Sequence, residues 1–442
     1  MTKEQKHSFT SFQIIIIGFA GIIFIGTLLL MLPFSTQSGI GTSFFDALFT
    51  ATSAVCVTGL VVQDTATYWS YFGQFIILCL IQIGGMGVVT VASSLALLSG
   101  RKLSFSQRNI MQEALSAPQV GGIVKLTSFV IKGTLLFEIF GGLIMLPVFC
   151  KDYGINGIWM AIFHSISAFC NAGFDLLGIN AKYSSLTSYI GNPVINITIM
   201  LLIIIGGIGF LTWLDIIKYR HRIWEYRMQS KVILSTTSLL ILVPTIYFFA
   251  VEFVNLPLKE RIFASFFQAV TPRTAGFNTV DFGIMSEAGF GIIILLMLIG
   301  GSPGSTAGGM KTTTITVLFA NAKAVFRRKN ETDLFGRRVS SDTIRTASTI
   351  LILYVTLFFC VGVLISLIED LPLMTCLFET ASAIGTVGLT LGITPQLGMI
   401  SQFLLIFLMF FGRVGGLTLI FATISGTNKH FSKLPQEKIT VG

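Results

Sequence analysis

Charge is what this chain has least of. Asp, Glu, Lys and Arg make up 11% of its 442 residues, against roughly 25% in soluble domains, so an ordinary water-facing surface is excluded. Histidine occurs only four times. No H-E-x-x-H helix and no paired Asp-rich motif is present, which argues against a metal-assisted membrane enzyme. The six cysteines (Cys56, Cys79, Cys150, Cys170, Cys360, Cys376) form no C-x-x-C pair and no His-linked spacing; neither a metal site nor a disulfide framework is indicated. A phosphate loop is missing too. In GGSPGSTAGGMKTT (300 to 313), Gly304 and Gly309 fit G-x-x-x-x-G-K-[ST], but Met310 stands where the lysine is required and Lys311 comes one place late. Without that lysine the glycine amides and the positive charge do not converge on the same oxygens.

What the chain has is apolar length. Hydrophobic residues make up 53%, and eight runs are long enough to cross a bilayer: 12 to 33, 70 to 98, 124 to 149, 193 to 218, 231 to 252, 288 to 325, 345 to 368 and 398 to 424. The first has no small-residue cleavage site and is too long for a signal peptide, so it reads as a retained span. Within each pair of runs lies a shorter apolar stretch (43 to 54, 158 to 169, 261 to 272, 372 to 384). At about 12 residues these suit re-entrant half-helices and not crossings.

Basic residues fix the orientation. Segments 1 to 12, 99 to 126, 218 to 231, 321 to 345 and 427 to 442 hold 21 of the 29 Lys and Arg, which puts both termini in the cytoplasm of a multi-pass plasma-membrane protein. The net charge of +9 then follows from topology and points to the lipid bilayer, not to nucleic acid. The opposite side carries Asp64, Asp152, Asp175, Glu252, Glu260, Asp281, Glu287, Glu369 and Asp370. Such a rim either steers cations or is ordinary loop charge.

A repeat organises the chain. ATSAVCVTGL (51 to 60), SISAFCNAGF (165 to 174), QAVTPRTAGF (268 to 277) and TASAIGTVGL (380 to 389) each end in Gly followed by Leu or Phe. A second cluster follows each string: IGGMG at 83, IGGIG at 205, IGGSPG at 299 and GRVGG at 412. Small-residue helix packing and a helix bend both account for this cluster, and the two are compatible. The chain therefore divides into four units, 1–115, 116–225, 226–340 and 341–442, each an outer helix, a half-helix, a glycine string and an inner helix. The fold class is an all-α membrane protein with pseudo-fourfold symmetry.

Non-helical backbone at membrane depth survives only where protein or water covers it. Four strings around one axis would turn carbonyls toward one another, and a cation would satisfy them. The negative ends of four half-helix dipoles would face the same point. Glycine permits the positive φ that such strings need.

VTGL, NAGF, PRTAGF and TVGL, in this order and across essentially the whole chain, resemble the pore loops of the Trk/Ktr/HKT superfamily of potassium transporters. The likeness is strongest to the membrane subunit of the Ktr system (KtrB type). It implies a K⁺ site formed by Val57, Thr58, Gly59, Asn171, Ala172, Gly173, Thr274, Ala275, Gly276, Thr386, Val387 and Gly388. It also implies an intramembrane gate at 300–311, made of Gly300, Gly301, Ser302, Pro303, Gly304, Ser305, Thr306, Ala307, Gly308, Gly309 and Lys311 and accompanied by the buried Arg413. Further implications are a homodimer, a cytoplasmic ring of nucleotide-binding regulatory subunits (KtrA type), sodium-stimulated K⁺ uptake and no cofactor in this chain, with any nucleotide on the partner. A Na⁺-permeable or K⁺/Na⁺ symporting member of the superfamily is the alternative. Length independently supports a break in the third inner run: about 38 residues would make a helix of about 57 Å, nearly twice the hydrocarbon thickness. Asp215 is expected to pair with Lys218 or Arg222, and His164 to be a packing residue. Asp46 and Glu379 are expected to bond backbone amides or to add charge to the pore.

Overall fold

The computed structural model of the chain describes residues 10–98, 104–114, 121–416 and 418–419. Four long apolar helices, Ser11–Leu30, Ile123–Tyr153, Met228–Glu252 and Ser341–Glu369, are each able to cross a membrane. The first starts at a capping box in which Thr10 and Gln13 satisfy each other's amides, and the fourth starts on the Ser340 side chain. These caps supply acceptors for N–H groups that a helix start leaves without partners.

Between outer and inner helices stand four half-helices, Phe44–Val55, Asn156–Phe169, Leu258–Val270 and Leu373–Gly385. At 12 to 14 residues they rise about 18 to 21 Å and stop inside the molecule. Their last turns are buried while their first turns are partly exposed, so all four point their carboxyl ends inward.

The inner helices refine the sequence reading, because the runs 70 to 98 and 193 to 218 are each bent and not single straight helices. Tyr71–Met86 and Val88–Ser94 meet at 97°, and Pro193–Gly207 and Phe210–Tyr219 at 99°. The turning residues are Gly87 (φ 85°) and Gly209 (φ 90°), and Met399–Val414 ends on Gly415 (φ 92°). An apolar run records what is shielded from water, and it does not record where a helix axis turns. Both readings of the second glycine cluster hold, at different glycines. A Cβ on Gly84, Gly206 or Gly412 would come closer than 3.0 Å to the carbonyl of Val55, Phe169 or Ile384, at the end of the neighbouring half-helix. Three residues later, Gly87 and Gly209 make the turns and Gly415 ends its helix. The third inner run is Glu287–Leu298, a non-helical stretch, and Thr312–Phe326.

Asp215 also departs from expectation. Its partners are Arg227, at 2.9 Å, and the Ser230 hydroxyl, at 2.6 Å, both across the turn that follows the inner helix. The placement of the two chain ends lies outside the described residues.

Candidate functional site

Each half-helix delivers its string in the same conformation. Val57, Asn171, Thr274 and Thr386 take positive φ (57°, 59°, 64° and 51°), and two residues later so do Gly59, Gly173, Gly276 and Gly388 (90°, 70°, 78° and 92°). For Val and Thr such a φ is uncommon and costs energy. The middle residue of each string turns its N–H back to the last turn of its half-helix: Thr58 to Ser53 O, Ala172 to Ser167 O, Ala275 to Thr271 O and Val387 to Ser382 O, at 2.8 to 2.9 Å. With the N–H groups directed outward, the carbonyls are left on the inner side.

The strings close a ring. A Cβ on Gly59 would collide with Ala172 O, one on Gly173 with Ala275 O, one on Gly276 with Val387 O, and one on Gly388 with Thr58 O, each closer than 3.0 Å. The order runs first to second, second to third, third to fourth and back to first. All twelve residues are buried or nearly so. Among the described residues, no protein donor bonds the carbonyl oxygen of any of them. Buried carbonyls are normally paired, so a dozen bare ones in one ring is a chemical statement: the ring is built to be satisfied by something other than protein.

Directly beneath lies the stretch 300–311. Thr306 Oγ1 donates to Asn171 Oδ1 (3.0 Å) and Phe169 O (3.1 Å) at the base of the second string. A Cβ on Gly308 would strike Thr386 of the fourth. The stretch is pinned to the second and fourth inner helices by Ser302 N to Gly207 O (3.0 Å), Thr306 N to Gly206 O (3.2 Å), Phe210 N to Gly304 O (2.7 Å) and Gly309 N to Gly412 O (3.1 Å). It therefore lies across the line on which the ring opens. Lys311 Nζ bonds carbonyls of its own loop, Ala307 O (2.8 Å) and Gly308 O (3.2 Å). Arg413 donates from Nη1 to Thr306 O, and from Nη2 to Gly84 O and Gly85 O. It thereby joins the loop to the first inner helix.

Comparison with known proteins shows the family and the fold. The description "TrkH: Cation transport protein" matches residues 2–433. The chain belongs to the TrkH cation transport family. It is 41% identical to the potassium/sodium uptake protein NtpJ of Enterococcus hirae, covering 100% of this chain and 99% of that one. It is 39% identical to the Ktr system potassium uptake protein B of Bacillus subtilis, covering 98% and 97%. The crystal structure of the potassium transporter TrkH from Vibrio parahaemolyticus superposes with a TM-score of 0.74 at 19% identity, covering 96% of this chain and 86% of that one, which supports the fold. As a TrkH-family cation transporter the chain is not an enzyme.

Within this family member, the sequence reading missed the hydroxyls that hold the strings from behind. Ser53 Oγ accepts from Gly59 N (3.1 Å) and Ser382 Oγ from Gly388 N (3.0 Å), while Ser167 Oγ and Thr271 Oγ1 donate to Phe174 O and Phe277 O. Their signal was present: each quoted string carries a Ser or Thr five or six residues before its glycine. Glu379 bonds hydroxyls, not amides. It accepts from Thr390 (2.9 Å) and Thr394, tying the fourth half-helix to the chain that leaves its string. Asp46 accepts from the Gln63 side chain at 3.3 Å. His164 stacks on Phe149, bonds Met160 O at 2.7 Å and receives Leu176 N at 3.3 Å.

Proposed function

We propose that this chain is the ion-translocating subunit of a potassium uptake system. K⁺ would pass through the ring formed by residues 57–59, 171–173, 274–276 and 386–388, and the loop 300–311, held by Arg413, would gate it. The observation that carries this reading is the closed ring of strings whose carbonyls meet no protein donor. Dehydrated K⁺ needs several oxygens at once, and backbone carbonyls provide them where side chains would crowd the path. Support for the gate is steric: a loop bonded to the second and fourth inner helices, and tied to the first through Arg413, lies below the ring and must move or thin for an ion to pass.

In this reading the four units 1–115, 116–225, 226–340 and 341–442 contribute one string each. The chain works as a homodimer on a cytoplasmic nucleotide-binding ring, and uptake is stimulated by sodium. The wording "Ktr system" for the Bacillus subtilis relative supports a multicomponent assembly, with the basic linkers 218–231 and 321–345 as docking surfaces. A second reading, in which Na⁺ also permeates, draws on the name potassium/sodium uptake protein given to the Enterococcus hirae relative. It also draws on the single glycine per string, which fixes fewer carbonyls. The test is K⁺ uptake by cells lacking their own K⁺ transporters that express this chain or its Gly388→Ser variant. Uptake that the variant leaves unchanged in rate and in preference for K⁺ over Na⁺ would overturn the proposed filter.

A further inference from the structure

A cavity of about 570 Å³ opens on the outer side of the ring, with Gly59, Gly173, Gly276 and Gly388 as its floor. Its wall begins with a second ring. The residues two places beyond the glycines, Val61, Asp175, Asn278 and Thr390, all line it. This ring does not repeat its chemistry: it holds one methyl-bearing side chain, one carboxylate, one amide and one hydroxyl. Thr390 is engaged by Glu379 and Asn278 Nδ2 by Val280 O. Asp175 is its only charge. No Lys, Arg or His lines the cavity among the described residues.

The structure also sorts the acidic rim noted in the sequence. Asp64 is occupied by Thr67 and by Tyr183 N, Asp152 by the Tyr189 hydroxyl, Glu252 by Ser286, and Glu369 by Gly398 N and Ser401. Asp281, also on the cavity wall, is exposed and caps Gly283 N. Asp175 differs from Asp281, whose Oδ2 is likewise without a protein partner among the described residues, in being half-buried and in standing two residues beyond a string glycine. Asp175 Oδ1 accepts from Leu177 N at 3.0 Å, and among the described residues its Oδ2 has no protein partner.

We propose that Asp175 is the cation-capture residue of this transporter, a single carboxylate that holds a hydrated K⁺ in the outer vestibule and passes it to the ring of glycine strings. The inference rests on the filter reading above. Two residues of extended chain reach about 7 Å, and at that distance one unit charge concentrates a monovalent cation about threefold even in the dielectric of bulk water. A low-dielectric wall increases the effect. A monovalent hydrated cation is the ligand that fits, because the neighbouring Asp64 is already engaged by Thr67 and Tyr183 N, and a single available carboxylate is a poor site for a divalent ion, which takes several oxygen ligands.

The charge itself is adjustable. Asp175 sits outside the membrane-spanning helices, and burial pushes its carboxyl up to about 7, against the Leu177 N–H and with the nearby charge of Asp64 adding to the rise. The ionisable groups around it are Asp64, outside the cavity lining, and Tyr183 and Asp281, which line the same cavity. As external pH falls through that value the carboxylate is neutralised, so capture weakens in acid and is full in alkali.

The experiment is K⁺ uptake as a function of external K⁺ in transport-deficient cells, at matched membrane expression, for the full chain and for Asp175→Asn, Asp175→Glu and Gly388→Ser. Asp175→Asn is expected to raise the half-saturating K⁺ about threefold or more with the maximal rate nearly unchanged. Asp175→Glu should restore it, added choline chloride should shrink the difference by screening, and the decline in affinity below neutral pH should be absent in the Asn variant. An unchanged half-saturation, or a lower maximal rate at the same half-saturation, overturns the inference. If Gly388→Ser alters uptake while Asp175→Asn does not, only the capture role fails; if neither does, the filter reading fails with it.

Discussion

The ring of strings and the layer beneath it are built from the same four repeats and obey opposite rules. In the ring, the φ values, the backward N–H bonds and the close glycine contacts recur in every quarter. One layer below, the first and second inner helices turn on a single glycine and Met399–Val414 ends on one, whereas the third opens into a loop that bonds the second and fourth and is tied to the first through Arg413. A dehydrated ion on an axis is best served by equivalent oxygens, and equivalence needs symmetry. Blocking a path needs only one element that crosses it, and four symmetric copies of the loop would not fit in the space that one fills. The proposed filter is therefore where the repeat is kept, and the proposed gate is where it is broken.

Four experiments press on that contrast. The largest effect is expected from Gly59→Ala, Gly173→Ala, Gly276→Ala and Gly388→Ala, because each added Cβ meets backbone of the next string closer than 3.0 Å at a φ that disfavours side chains. All four should reduce K⁺ uptake by about tenfold or more, which corresponds to only about 1.4 kcal/mol at the barrier. A well-expressed variant with normal uptake and selectivity would show that its quarter does not contribute equally. Next is deletion of residues 302 to 308, expected to raise K⁺ flux in proteoliposomes about tenfold, again the equivalent of about 1.4 kcal/mol. A well-inserted deletion with unchanged or lower flux removes the gate from the argument.

Arg413→Gln should act in the same direction and less strongly. It removes charge-assisted bonds to Thr306 O, Gly84 O and Gly85 O, each contributing about 1.5 to 3 kcal/mol, but leaves the bonds from Ser302, Thr306 and Gly309 in place. Flux above wild type with a lower melting temperature is the expected pair of readings; a lower melting temperature alone would mean that the arginine only stabilises. The smallest and most discriminating test compares Gly87→Ala with Gly209→Ala. Both force a side chain into positive φ, at about 1 to 3 kcal/mol, measurable as reduced thermal stability in detergent. At Gly87 the added Cβ has only Thr90 Oγ1 at 3.7 Å, whereas at Gly209 it meets Pro303 O of the loop at 2.7 Å. Only Gly209→Ala should also change flux, and equal flux phenotypes would erase the distinction between a plain bend and one that supports the loop.

Much of this was legible because glycine and apolar length leave marks in the chain. The strings, the half-helices and the non-helical stretch at 300–311 sit where the sequence places them, since a positive φ and a close backbone approach both demand the smallest residue. The hydroxyls of Ser53, Ser167, Thr271 and Ser382 were equally readable, at fixed offsets from the glycines. Other features were not. The right-angle turns at Gly87 and Gly209 lie inside continuous apolar runs, and hydropathy carries no direction. Asp215 found Arg227 and not Lys218 or Arg222, because the turn after its helix brings the more distant residue back beside it.

By itself, then, the sequence determined what is local or periodic: the four strings and their half-helices, the positions where glycine is needed, and membership of a transporter superfamily through those strings. Only the tertiary structure decided which string faces which, that Arg413 reaches carbonyls more than 300 residues earlier in the chain, and that Val61, Asp175, Asn278 and Thr390 line one cavity with Asp175 the charged one of the four. The reason is physical. Periodicity and φ are properties of a few consecutive residues, whereas a ring, a crossing loop and a shared cavity exist only once distant segments have packed against one another.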